Sequence, residues 1–136
     1  MVSDSLLKKS YELNNDRNDE IIVEYFKMIT NSDSTSEYYT TFKDREKLIS
    51  KLINKKPNNK LFYDCRADFY QNNKKYNLAI NDLNKVLELT DISDTYSFMS
   101  TVNDIQYIYE NNLSDIKKSK KLLEDNCLKT GLYDIP

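Results

Sequence analysis

Residues 60–89 read KLFYDCRADFYQNNKKYNLAINDLNKVLEL. Leu61, Phe62, Cys65 and Phe69 recur at helical spacing, with Tyr63, Ala67 and Tyr70 close beside them. Asn72-Asn73 interrupts the pattern, and a second stripe follows at Tyr76, Ala79, Ile80, Leu83, Val86 and Leu87. Pro57 pushes the residue before it out of the helical region, and Asn58 or Asn59 stands where it can cap the first of these helices. A link this short forces the two helices to run antiparallel. Ala67 and Ala79 are small where the two backbones must approach, and Tyr63, Tyr70, Leu83 and Val86 fill the space around that crossing.

The same alternation extends outward. Upstream, Leu6, Leu7 and Tyr11 make a weak helical pattern, and Ile21, Ile22, Tyr25, Phe26 and Ile29 a clear one. Asp19-Glu20 lies in the first turn of that stripe, where the helix dipole favours negative charge. Ser34 and Glu37 have capping-box spacing ahead of Tyr38, Tyr39 and Phe42, and Leu48, Ile49, Leu52 and Ile53 complete the segment. Downstream, Ser93 or Asp94 can cap a helix carrying Tyr96, Met99, Val102, Ile105, Ile108 and Tyr109. After Asn111-Asn112, Ser114 is placed to cap Ile116, Ser119, Leu122, Leu123 and Cys127, with Gly131 as a stop. The reading is an all-α single domain over 1–136: three helical hairpins at about 18–55, 59–89 and 93–129, with an irregular helix at the N-terminus.

Composition agrees with one ordered helical domain. The chain has 136 residues, a length that fits a single core. One Gly and two Pro leave little for the tight turns of sandwiches and barrels. The Asn doublets at 14–15, 58–59, 72–73 and 111–112 punctuate the stripes instead, because Asn tolerates the left-handed region. Charged residues make up 31% and the mean hydropathy is −0.74, yet the apolar residues sit in periodic stripes, so the charge reads as surface.

Several functions are disfavoured. A net charge of −2 gives no general attraction to nucleic acid or to an anionic membrane. The run Lys117, Lys118, Lys120 and Lys121 reads as a solvated helix face. Most of the eleven Tyr and five Phe lie on the stripes, so they read as core, with Tyr38, Tyr39 and Tyr107 the candidates for exposure. Two Cys make no disulfide framework. No stretch of ~20 apolar residues is present to span a membrane. The opening Met-Val-Ser-Asp-Ser-Leu-Leu-Lys-Lys lacks the apolar centre of a signal peptide, so a cytoplasmic location is expected. The chain has no His, the usual general base near neutral pH, and one Gly cannot build a phosphate loop. No catalytic residue, metal ligand set or cofactor is expected.

Tyr63-x-x-Arg66-Ala67-x-x-Tyr70 followed by Tyr76-x-x-Ala79-Ile80-x-Asp82-Leu83-x-Lys85-Val86-Leu87 resembles a tetratricopeptide repeat. Pro57 and Asp91 are 34 residues apart, the family's period, with Asp91 replacing the usual Pro. The resemblance covers about 60–91. Upstream, Arg45 falls at the small position; downstream, Ile116, Ser119 and Leu123 match Tyr76, Ala79 and Leu83 only if the first helix of the third hairpin is longer. The resemblance thus implies one clear repeat between two degenerate ones, stacked as a short α-solenoid.

The resemblance also implies a binding face lined by the first helix of each hairpin. The matching positions here are Asp64, Asp68, Gln71 and Asn72, with Asn103 and Tyr107 for the third hairpin. One subfamily grips a carboxylate tail there with basic residues. Asp64 and Asp68 would repel such a tail, so a basic or neutral protein or peptide partner is expected. Two functions follow: an interaction module acting as adaptor, assembly subunit or chaperone-like holder, or an immunity protein or antitoxin that blocks a partner enzyme. An apolar face left open on the last hairpin would be covered by pairing as a homodimer.

Overall fold

The structure is a computed structural model that describes residues 19–24, 26 and 41–130. The stripe at Leu6, Leu7 and Tyr11, together with Tyr25, Ile29, Ser34, Glu37, Tyr38, Tyr39 and Gly131, lies outside the described residues. Residues 19–24 and 26 are helical. They are followed by α1 (Phe42–Lys55), α2 (Lys60–Asn72), α3 (Tyr76–Leu89), α4 (Thr95–Tyr107), a π turn (Ile108–Asn112) and α5 (Ile116–Thr130). Among the described residues there is no strand, and no helix is long and apolar enough to cross a membrane.

Local chemistry sets most of the boundaries. The Thr41 side chain accepts the Asp44 N–H at 3.1 Å and starts α1. Asn59 does the same for α2 through Leu61 N–H at 3.0 Å, and Asp94 for α4 through Ser97 N–H at 3.3 Å. The cap of α5 is Asp115, whose carboxylate accepts the Lys118 N–H at 3.0 Å. Ser114, expected in that role, instead has φ 52° and makes the turn.

The Asn doublets at 72–73 and 111–112 act differently from expectation, and the doublet at 14–15 lies outside the described residues. The left-handed residues are Lys74 (φ 61°) and Ser114. Asn73 keeps φ −100° and donates its side-chain amide to the Phe69 carbonyl at 2.8 Å. Asn111 donates likewise to Tyr107 O at 3.1 Å. These amides bond to carbonyls in the last turn of each helix, Phe69 O also accepting the Asn73 backbone N–H at 3.2 Å. Lys74 then closes α2 with Lys74 N–H to Gln71 O at 3.0 Å and Lys75 N–H to Tyr70 O at 2.8 Å, the Schellman pairing.

Helices contact their sequence neighbours, and α2 and α3 pack most extensively. That pair is antiparallel: Arg66 meets Asp82 midway, and Leu61 and Leu89 share a hollow at the end far from the link. Tyr63, Ala67, Tyr70, Ala79, Leu83 and Val86 are all buried, and Tyr76 is half-buried. The core continues through α1 (Leu48, Ile49, Leu52, Ile53) and into Ile22, Val23 and Phe26. Phe69 joins these layers, stacked on Phe42 at 4.9 Å and edge-on to Phe26 at 5.5 Å.

Burial repeats between consecutive helix pairs. Tyr63, Ala67 and Tyr70 on α2 are matched 35 residues later by buried Phe98, Val102 and Ile105 on α4. Beyond α4 the offset becomes 40: Lys74 and Ser114 both have positive φ, and Ala79 and Ser119 are both 0% exposed. The π turn between them absorbs the difference, with Leu113 N–H bonded to Ile108 O at 3.0 Å and Asp115 N–H to Tyr109 O at 2.7 Å.

The apolar side of α4 is therefore Phe98, Val102 and Ile105, continued by Ile108 of the π turn, one face at helical spacing, and Tyr96 of the expected stripe is 86% exposed. Leu61 and Ile21, also expected on stripes, are more than one-third exposed. Asp19 does more than sit in a first turn. It is buried, and its Oδ2 accepts Lys56 Nζ at 2.8 Å and Asn59 Nδ2 at 2.9 Å, tying the upstream helix to the α1–α2 link.

Candidate functional site

Helices α2 and α4 both pack on α3 rather than on each other. Two successive antiparallel turns make them run in the same direction, which leaves a groove of about 230 Å³ with α3 as its floor. Val86 of α3 and Thr90 just past its end form that floor. From α2 the walls carry Lys60, Leu61 and Asp64; from α4 they carry Tyr96, Ser97, Ser100, Thr101 and Asp104. Lys60, Leu61 and Tyr96 stand at one end, Asp64 and Asp104 further along.

The groove is polar on its walls for a local reason. Ser97, Ser100, Thr101 and Asp104 fall at i, i+3, i+4 and i+7, a second stripe of α4 lying beside the apolar one. Thr101 turns its hydroxyl to Ser97 O at 3.3 Å, and Thr90 donates to Val86 O at 2.7 Å. Both hydroxyls thereby satisfy carbonyls of their own helices.

Charge accumulates across the groove. The Asp104 carboxyl is held above the usual carboxylate range, first by desolvation and then by the negative charges of Asp64 and Asp68. Three carboxylates from two helices therefore share one field. They do not form a metal site: among the described residues no group of three Asp, Glu, Cys or His side chains converges to hold an ion.

The sequence-derived positions distribute unevenly. Asp64 lines the groove, and exposed Asp68 adds to its field. Gln71 is half-buried and Asn72 exposed at the end of α2, and neither lines the groove. Asn103 is exposed, one residue and about 100° of helical turn from Asp104. Tyr107 is 57% exposed beyond the groove's end. Lys60, Tyr96, Ser100 and Asp104 were missed. The polar spacing at 97, 100, 101 and 104 is the signal that would have found the α4 wall.

On the far side of α2, Arg66 clips three helices. Its Nε and Nη2 donate to the two Asp82 oxygens at 2.8 and 2.7 Å, and Nη1 donates to Ser50 Oγ at 3.2 Å. Its guanidinium lies 5.7 Å from the Tyr70 ring centre, and the Tyr70 hydroxyl donates to Glu46 at 2.8 Å. The hydrogen bonds to Asp82 push the Arg66 pKa up. Burial, then the bond to Glu46, raises Tyr70 to about 12. This cluster fixes how α2 sits on α1 and α3, and so where Asp64 faces the groove. No family model, curated protein or solved structure matches this chain.

Proposed function

We propose that the chain is a non-catalytic protein-interaction module, a short tetratricopeptide-like stack of helical hairpins that holds a peptide or protein segment between α2 and α4. The observation that carries the reading is the groove itself: an open trench with Val86 and Thr90 on its floor and carboxylates on both walls. The repeat of buried positions between α2–α3 and α4–α5 supports the stacked arrangement. Walls made of regular helices lose little conformational freedom when a partner is seated.

The test is capture from an extract of the native cell, read by mass spectrometry, with the wild-type chain and with Asp64→Lys plus Asp68→Lys. Both positions are exposed, and removing their repulsion of Asp104 does not cost stability, so the variant should stay folded with a melting temperature no lower than the wild type's while the captured partner is lost. Equal capture by both proteins would count against this groove. The reading as an immunity protein or antitoxin is favoured by the same carboxylates, whose combined field would steer a basic folded enzyme to this surface. In that case the captured partner loses a measurable activity on binding, whereas a peptide holder leaves it intact.

A further inference from the structure

We propose that the groove reads one cationic side chain: it takes an extended peptide with a lysine or arginine set between Asp64 and Asp104 and an apolar residue against Tyr96 and Leu61. This deepens the function proposed above and rests on it.

Size comes first. At about 230 Å³ the groove is smaller than the roughly 300–1,000 Å³ of typical small-molecule sites, and it is open along its length, so it suits a side chain delivered by a passing backbone. Charge comes second. Asp64 and Asp104 line opposite walls, and a cation between them relieves the repulsion that also involves Asp68. Shape comes third. Tyr96 is 86% exposed and Leu61 more than one-third exposed at the same end of the groove. They offer an apolar surface, and an aromatic face for the stem of a long side chain. Lys60 stands at that end too. It repels a second cation there, so the preference for positive charge falls on one peptide position.

Charge complementarity selects a basic peptide over the other occupants. A second copy of this chain carries the same net charge of −2, so charge does not favour it as the occupant.

The probe is a positional-scanning library of short peptides with both termini blocked, presented to the full chain and to two variants, Asp64→Asn plus Asp104→Asn and Tyr96→Ala. Melting temperatures confirm that each is folded. Expected for the wild type is enrichment of Lys or Arg at one position, with an aromatic or aliphatic residue nearby. The double Asn variant should lose the cation preference by roughly tenfold, the scale of one charge-assisted contact, and keep the apolar one. Tyr96→Ala should do the reverse. Enrichment of Asp or Glu, or a cation preference that survives in the double Asn variant, would overturn the inference. So would a peptide that binds only by displacing a self-associated dimer. If no short peptide binds while capture from extract still depends on Asp64 and Asp68, this inference falls and the interaction function stands; if both fail, both fall.

Discussion

Asp82 is 4% exposed, and among the described residues its carboxylate is partnered by Arg66. Removing one member of a buried pair strands the other, whereas replacing both with apolar groups of similar shape is often tolerated. Asp82→Ala should therefore cost about 3 kcal/mol in urea unfolding, and Arg66→Met with Asp82→Leu distinctly less. An equal loss in both would mean that the Ser50 contact and the Tyr70 stacking matter more than the ion pair. Asp104 carries the opposite balance. Its pKa is raised above 3.8 in the folded state, so the folded chain binds that proton more tightly than the unfolded one. Stability is lost as pH rises from the unfolded value through the raised one. Asp104→Asn should raise the melting temperature at pH 7, with the advantage shrinking toward pH 3 and in high salt. A lower melting temperature at pH 7 would contradict the repulsion among the three acids.

At the scale of elements, the link between α2 and α3 is the informative case. Lys74 holds φ 61°, a conformation that costs a residue with a Cβ roughly 1 kcal/mol. Lys74→Gly should stabilise the chain by about 0.5–1 kcal/mol in denaturant unfolding, and Lys75→Gly, at the residue before α3, should not. The hairpin was legible in sequence because two 3.6-residue stripes and a polar break are local patterns. The turn geometry was not. An Asn has two uses at a helix end, left-handed backbone or side-chain amide on a carbonyl of the last turn, and Asn73 and Asn111 take the second. The π turn was hidden for a similar reason. Ile108 and Tyr109 continue the apolar spacing, and only the burial of Ser119 at the Ala79-equivalent place sets the shifted register.

For the whole molecule, burial is graded along the chain. Helices α2 and α3 contribute buried residues at nearly every turn, while α5 contributes Ser119, Asn126 and Cys127. Opening free energy follows such burial, so amide hydrogen exchange should be slowest in α2 and α3 and faster by about tenfold or more in α5. Uniform protection would mean that α5 is held by contacts beyond those described. The gradient also bears on the proposed function: the groove's floor and one wall come from α2 and α3, the pair with the most burial, so they should keep their shape when α5 opens.

Sequence by itself determined the helical class, most of the helix breaks and the hairpin at 60–89, because periodicity is a property of neighbours along the chain. It also put Asp64 and Asp68 on the exposed side of a helix whose buried face was plain. Only the tertiary structure decided that Asp104 faces them, that Tyr96 stands in water and that Asp82 is partnered by Arg66. Each depends on how one helix is rotated against another, and a one-residue shift turns a side chain by about 100°, which is the distance between Asn103 and the groove.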